Sequence, residues 1–295
     1  MKTLKLLFSV LIVCFCFADK LNAQSGGKVF DNLVVKSSIL NEDVNYSIYL
    51  PPDYETSERS YPVLYLLHGY SDDHTGWVQF GQVKAIADKA IDEGKAAPMI
   101  IVMPDAGKTW YVNDYKGEVR YEDFFITELI PAIEAKYRCR TKKEFRAVAG
   151  LSMGGHGSLI YALKHPDMFT ACCPLSAAVH TSDELMAMDG NNANYRFANL
   201  YGSGTGTKRL TDHWKKNNTL EIIKNIPDDK KRTVRLYIDC GDDDFLYKGN
   251  AALHVALRDA NIPHEFRIRD GGHTWVYWRE SLPSVLEFIS KSFHR

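Results

Sequence analysis

A serine in the pattern Gly-x-Ser-x-Gly is the residue whose surroundings most clearly predict chemistry. The pattern is Gly150-Leu151-Ser152-Met153-Gly154, and it joins an apolar run at 145–150 to a helical pattern that begins near Met153. A strand that enters such a turn and a helix that leaves it form a nucleophile elbow, which raises the serine hydroxyl above the end of a sheet. A phosphate-binding loop would need GxxxxGK[ST], which is absent. The sequence therefore predicts Ser152 as a nucleophile.

A serine hydroxyl becomes a good nucleophile only when a base removes its proton. In proteins with this elbow, the order along the chain is serine, then acid, then histidine. His273 follows two glycines, after the last predicted strand and before the final predicted helix. His254 and His264 fit a helix face and a strand, and His213 is a weaker rival. We therefore expect His273 to be the base that serves Ser152.

The acid that orients the histidine should follow the strand predicted at 234–240. Three consecutive acids, Asp242, Asp243 and Asp244, stand there, and Asp239 lies within the strand itself. The acid holds the histidine in one tautomer and stabilises its charged form. The run lacks the spacing of a calcium-binding loop. Periodicity does not choose among the four aspartates.

Attack by such a serine on a carbonyl group also requires two donors for the oxyanion that forms. The N–H of Met153 directly follows the nucleophile, at the N-terminus of the predicted helix. The N–H of Tyr70 lies in the loop after the apolar run 61–67, and we expect it to be the second donor. His68 in the same loop could be a base, but its place at a strand end before the serine favours a structural role.

The elements that must position these residues alternate between strands and helices. Two N-terminal segments, 28–37 and 44–50, are expected to pair as an antiparallel hairpin. Alternating strands and helices predict an α/β fold with a mostly parallel central sheet and helices on both faces. The further strands are predicted at 61–67, 98–103, 145–150, 169–175, 234–240 and 264–269, and the helices at 77–93, 121–137, 153–164, 250–260 and 275–293.

One region, 176–218, interrupts this alternation between two core strands. It is polar and holds the run GSGTGT at 202–207. A long stretch without regular elements inside a compact domain is usually functional or disordered. We interpret it as an insertion over the active site, and a plain surface loop is the alternative. Its aromatic residues could form a wall that stacks an aromatic acid or a sugar: Tyr195, Phe197, Tyr201 and Trp214.

The first 23 residues have the pattern of a secretory signal peptide. Lys2 and Lys5 precede an apolar run at 6–18, which is short for a membrane span, and residues 21–23 offer a cut before Gln24. We therefore expect a secreted or periplasmic protein with no membrane span after signal removal. Residues 24–295 are expected to form a single domain.

Charge and cysteine content exclude several classes of protein. The 36 basic and 37 acidic residues give a net charge of -1, which is unlike a strongly basic nucleic-acid binder. After loss of the signal, four cysteines remain, without the spacing of a metal site: Cys139, Cys172, Cys173 and Cys240. One disulfide is possible, but the sequence does not select a pair.

Taken together, these motifs resemble the esterase D-like group of α/β-hydrolases, and within it carbohydrate esterase family 1, the feruloyl and acetylxylan esterases. The resemblance covers nearly the whole chain after the signal. It rests on YLPPDY at 49–54, YPVLYLLHG at 61–69, MPDAGKTWY at 103–111, GLSMGG at 150–155, CGDDDFLY at 240–247 and GGHTWVYWR at 271–279. It implies the α/β-hydrolase fold, supports Ser152 and His273, and points to Asp244 as the acid, because that aspartate precedes a Phe-Leu pair.

The resemblance also implies a secreted serine esterase that removes feruloyl or acetyl groups from plant polysaccharide, without a metal or cofactor. Its expected partner is an acylated oligosaccharide or polysaccharide. An acyltransferase or a general short-chain esterase of the same superfamily is an alternative, and a non-catalytic carbohydrate-binding module is an alternative of another class. The aromatic residues expected to contact substrate are Trp110, Tyr111, Trp275 and Tyr201, whereas Trp77 and Trp278 are expected to pack helices.

Overall fold

A computed structural model describes residues 26–190, 197–198, 200 and 202–293. The predicted signal peptide lies outside these residues, as do Tyr195 and Tyr201. No helix in the described part of the chain is both long enough and apolar enough to cross a membrane.

A mixed sheet of eight strands forms the centre of the described residues, in the spatial order β1-β2-β4-β3-β5-β6-β7-β8. Strands β1 and β2 form the predicted antiparallel hairpin, β2 runs antiparallel to β4, and all other neighbours are parallel. This confirms the predicted α/β-hydrolase fold. The strands are β1 (Lys28–Ser37), β2 (Glu42–Leu50), β3 (Val63–Leu67), β4 (Ile100–Pro104), β5 (Arg146–Leu151), β6 (Ala171–Leu175), β7 (Arg235–Gly241) and β8 (His264–Arg269).

The helices cover both faces of the sheet and divide the core into two apolar layers. Helices α2 and α10 pack on one face, and α4, α5, α8 and α9 pack on the other. Strands β3 to β6 are therefore buried at every position, which explains why their sequences are apolar apart from Arg146 at the start of β5. The helices are α1 (Gly76–Gln79), α2 (Val83–Asp92), α3 (Tyr121–Phe124), α4 (Ile130–Lys136), α5 (Met153–Lys164), α6 (Ser182–Ala187), α7 (Asp212–Asn217), α8 (Thr219–Lys224), α9 (Tyr247–Asp259) and α10 (Trp275–Phe293).

Two of the predicted helices are interrupted. The helix expected at 77–93 is divided into α1 and α2, because Gly81 packs onto Trp77 and Gln82 adopts a left-handed conformation with φ of 52°. The helix expected at 121–137 contains a π-helical turn, Phe125–Leu129, between α3 and α4. Pro131 follows that turn and has no N–H for the regular i−4 bond.

The insertion at 176–218 is more regular than its sequence predicted. Its described residues contain α6, α7 and a 3₁₀ turn at Gly206–Arg209. Arg209 is buried and donates hydrogen bonds from Nη1 to the carbonyls of Leu185 and Met188, both at 2.8 Å. This side chain ties the second half of the insertion to α6.

Candidate active site

Ser152 lies at the turn between β5 and α5, in a backbone conformation that residues other than glycine rarely adopt. Its φ is 55° and its ψ is −116°, and its N–H donates to the carbonyl of Leu175 at 2.9 Å. A Cβ on Gly154 would lie 2.5 Å from the carbonyl oxygen of Leu67, so only glycine fits. The strand, the strained serine and the close glycine together form the predicted elbow.

Three side chains from distant parts of the chain form a hydrogen-bonded row at this elbow. The Ser152 hydroxyl lies 2.9 Å from Nε2 of His273, in the loop between β8 and α10. Nδ1 of His273 lies 2.9 Å from a carboxylate oxygen of Asp244, just after β7. Because a carboxylate can only accept, Nδ1 carries the proton, which leaves Nε2 free to accept the serine proton.

Asp244 is buried yet held in its charged form. Burial alone would raise the pKa of its carboxyl, but hydrogen bonds from His273, the N–H of Leu246 and the hydroxyl of Ser176 outweigh burial and lower that pKa. The Leu246 N–H donates at 2.8 Å. Asp244 is therefore an anion at neutral pH, as the partner of a charged imidazole must be.

The structure also shows where the three other aspartates near β7 lie. Asp242 and Asp243 are exposed, and Asp242 accepts the N–H of Gly271 at 3.1 Å. Asp239 is buried but forms an ion pair with Arg269 at 3.0 Å. Only Asp244 of the four contacts His273 among the described residues, which matches the aspartate that the family resemblance indicated.

The two expected oxyanion donors lie on either side of Ser152. Met153 is the first residue of α5, so its N–H has no acceptor within the helix. A Cβ on Gly69 would lie 3.7 Å from the Cβ of Ser152, so the loop that carries Tyr70 passes at contact distance from the nucleophile. In the described part of the chain, the N–H of Tyr70 makes no hydrogen bond. Both groups remain available to a substrate oxygen.

A cavity of about 950 Å³ opens above Ser152 and His273. Residues of the segment 176–218 line part of this cavity, including His180, Met188 and Phe197. Phe245, Trp275 and Trp278 also line the cavity, so several aromatic rings contribute to its wall.

The predicted substrate contacts have different outcomes. Trp110 and Trp275 line the cavity, and the ring of Trp110 lies 4.9 Å from that of Phe197. Tyr111 was expected in the cavity and does not line it: its side chain is fully buried, and its hydroxyl bonds to the backbone of His68. Tyr201 lies outside the described residues.

Trp278, Phe245 and Asp72 are among the cavity-lining residues that sequence reasoning missed. Trp278, which was expected only to pack, stands edge-on to His273 with ring centroids 4.9 Å apart. Phe245 is 63% exposed, with its ring 4.5 Å from that of His273, and its position directly after Asp244 was the available signal. Asp72 also lines the cavity, and burial raises the pKa of its carboxyl.

One group of acidic side chains in the described part of the chain lies close enough together to share an ion, and it lies outside the cavity. Among the described residues, the one group of side chains close enough to share an ion consists of Asp242, Asp243 and Asp270, whose ligand atoms lie within 4.8 Å of one another. All three are exposed and none of them lines the cavity.

Comparison with known proteins agrees with this geometry. The family model described as "Putative esterase" matches residues 37–289. The chain belongs to this esterase family. Together with its structural neighbours, this places it among the esterase D-like α/β-hydrolases, close to carbohydrate esterase family 1.

Three relatives illustrate the esterase family. An esterase of Mycobacterium tuberculosis is 32% identical over 265 residues, which are 81% of this chain and 54% of that protein. An endo-1,4-beta-xylanase/feruloyl esterase of Xylanibacter ruminicola is 37% identical over 257 residues, 83% of this chain and 29% of that protein. The solved structure of a ferulic acid esterase is 36% identical with a TM-score of 0.80, covering 91% of this chain and 99% of that one. The chain thus spans about half the length of the mycobacterial esterase and less than a third of the xylanase/feruloyl esterase.

Proposed function

We propose that this esterase is a serine carboxylic-ester hydrolase in which Ser152, His273 and Asp244 form the catalytic triad. The observation that carries the proposal is the hydrogen-bonded row at the cavity floor, with 2.9 Å between Ser152 and His273 and 2.9 Å between His273 and Asp244. An ester hydrolase needs a nucleophile, a base and an acid in that order. The membership of the esterase family supports the same reaction.

The mechanism follows from the contacts of each residue. Ser152 attacks the ester carbonyl while Nε2 of His273 takes its proton, and Asp244 stabilises the imidazolium that results. The N–H groups of Met153 and Tyr70 bind the developing oxyanion. His273 returns the proton to the leaving alcohol, and a water molecule activated in the same way then cleaves the acyl-enzyme.

The proposed substrate is a feruloyl or acetyl ester on plant polysaccharide. Support comes from the aromatic walls of the cavity, since rings such as those of Trp110 and Trp275 pack well against a phenolic acyl group or a sugar. It also comes from the two relatives whose names specify feruloyl or ferulic acid esters. We further propose that residues 1–23 direct the chain to export and that 24–295 act as one esterase unit.

A panel of esters tests this function. We expect the wild-type chain to hydrolyse acetyl, butyryl and feruloyl esters with release of the free acid, and to act on feruloylated or acetylated xylo-oligosaccharides. Release of free acid is measured by chromatography, with and without an added sugar alcohol. Transfer of the acyl group to the added alcohol in preference to water would favour the acyltransferase alternative. Sugar binding without any hydrolysis would favour the binding module.

The wall formed by the insertion makes a prediction about specificity. Phe197 packs against Trp110 in the cavity, whereas the run 202–207 does not line it. We therefore expect Phe197→Ala to lower kcat/KM for a feruloyl ester about tenfold, which corresponds to about 1.4 kcal/mol, and to change it less than twofold for a small acetate ester.

Comparing kcat/KM on the two esters shows whether Phe197 contacts the acyl group or only supports the fold. Trp214→Phe is a useful control, because Trp214 is buried in the insertion but does not line the cavity. An equal loss on both esters in Phe197→Ala would mean that Phe197 supports folding or the triad and forms no acyl wall.

A further inference from the structure

We propose that Tyr111 and His68 are positioning residues that hold the Tyr70 N–H at the oxyanion site. The proposal deepens the proposed function, since it rests on Tyr70 being an oxyanion donor. Neither side chain contacts the cavity, and neither touches Ser152 or His273 among the described residues. Their effect on catalysis would therefore pass entirely through the backbone of the loop 68–70.

The hydroxyl of Tyr111 binds both backbone groups of His68. The hydroxyl of Tyr111 accepts the backbone N–H of His68 at 2.8 Å and donates to the carbonyl of the same residue at 3.1 Å. Both groups are buried, and His68 is at the point where the chain leaves β3. Buried peptide groups require hydrogen-bond partners. The Tyr111 hydroxyl supplies to His68 the donor and acceptor that a neighbouring strand would otherwise supply.

The side chain of His68 fixes the peptide between Gly69 and Tyr70. Nε2 of His68 accepts the N–H of Ala106 at 2.9 Å, so the ring proton is on Nδ1. Nδ1 lies 2.8 Å from the carbonyl oxygen of Gly69 and donates to it. The carbonyl of Gly69 and the N–H of Tyr70 belong to the same planar peptide. A hydrogen bond that fixes the one therefore fixes the direction of the other.

Tyr111 is itself held in place by its backbone conformation and by close packing. Its φ of 61° and that of Trp110, 58°, lie in the left-handed region, which is rare for bulky residues and persists only where packing enforces it. A Cβ on Gly157 of α5 would lie 2.6 Å from the Tyr111 side chain, so the tyrosine occupies space that a glycine leaves open. The helix that starts at the nucleophile thus also seats the residue that holds the opposite donor.

A donor that is fixed before the reaction costs no reorganisation when charge develops on the substrate oxygen. The ground-state ester makes less use of that donor than the transition state does. Loss of the clamp should therefore lower kcat more than it changes KM. A merely structural role would lower stability and leave kcat and KM, measured per active site of the folded enzyme, unchanged.

Tyr111→Phe is the decisive variant, and Tyr161→Phe is its matched control. Tyr161 is also fully buried, with its ring 6.3 Å from that of Tyr111, but its hydroxyl has no hydrogen-bond partner in the described part of the chain. We expect Tyr111→Phe to lower kcat about tenfold to a hundredfold on a small acetate ester, with KM within twofold, and Tyr161→Phe to leave both unchanged. Removal of a whole oxyanion donor costs about 10² to 10³, so displacement of one should cost less.

The inhibition constant of a transition-state analogue is a measurement that a change in protein stability does not affect. A trifluoromethyl ketone forms a tetrahedral adduct with an active-site serine, and its inhibition constant should weaken by the same factor as kcat/KM in Tyr111→Phe. If Tyr111→Phe does not fold, His68→Leu tests the same loop, because leucine has no N–H to donate to the carbonyl of Gly69, and the same pattern is expected. Wild-type kcat and unweakened inhibition in the folded variant would overturn the proposal. Persistence of activity in Ser152→Ala would instead overturn the proposed function, so the two failures are distinguishable.

Discussion

Replacing Ser152 with alanine is expected to lower ester hydrolysis by about 10³-fold or more while the protein folds normally. The serine hydroxyl lies 2.9 Å from Nε2 of His273 in the cavity. Its removal leaves the base without a proton to take and the ester without an attacking oxygen. The residual rate reports what the oxyanion donors and binding supply alone.

Initial rates on acetyl and feruloyl esters, together with a thermal unfolding curve, check this expectation. Ser71→Ala is the matched control, because Ser71 also lines the cavity but belongs to no hydrogen-bonded row with His273. We expect the control to keep wild-type activity. Activity of Ser152→Ala above a tenth of wild type would remove Ser152 from the mechanism.

Asp244→Asn is expected to have the second large effect, a loss of about 10³-fold or more in kcat. An asparagine side chain has nearly the same shape but is neutral and presents an N–H₂ group. It can therefore accept from Nδ1 of His273 with one atom only, and it cannot stabilise the imidazolium. The hydrogen bonds that lower the pKa of Asp244 stabilise its charged form. The substitution therefore removes the charge that these hydrogen bonds stabilise.

The neighbouring acids supply two controls with the same chemistry. Asp242 and Asp243 are exposed, and in the described structure neither side chain forms a hydrogen bond with His273. We expect Asp242→Asn and Asp243→Asn to keep kcat within about threefold of wild type, since exposed charges at a distance are screened. A severe loss in Asp243→Asn with a mild one in Asp244→Asn would show that the acid is one residue earlier.

The parallel strands and the elbow were predictable from sequence because their signals are local. A continuously apolar run of five or six residues has few alternatives to a covered strand, and the glycines around Ser152 mark the turn. The break between α1 and α2 was not predictable in the same way. It depends on Gly81 meeting the ring of Trp77, a contact that helical periodicity does not contain.

The candidate site shows the same division between local and tertiary information. The order serine, acid, histidine selected His273, but the register of the three aspartates depends on where the turn after β7 points each side chain. Tyr111 was misplaced because adjacent Trp110 and Tyr111 both have positive φ, which sends one ring into the cavity and the other into the core. A propensity argument assigns neither residue to that conformation.

The cysteines have a consequence for how this protein can be produced. Cys139, Cys172, Cys173 and Cys240 are all free in the described structure, and burial raises the pKa of the Cys139, Cys172 and Cys240 thiols to about 12. Thiols of such high pKa form little thiolate and react slowly with oxidants. The described residues around Ser152 therefore contain no disulfide that a reductant could break, and purification in the presence of dithiothreitol should leave this site intact.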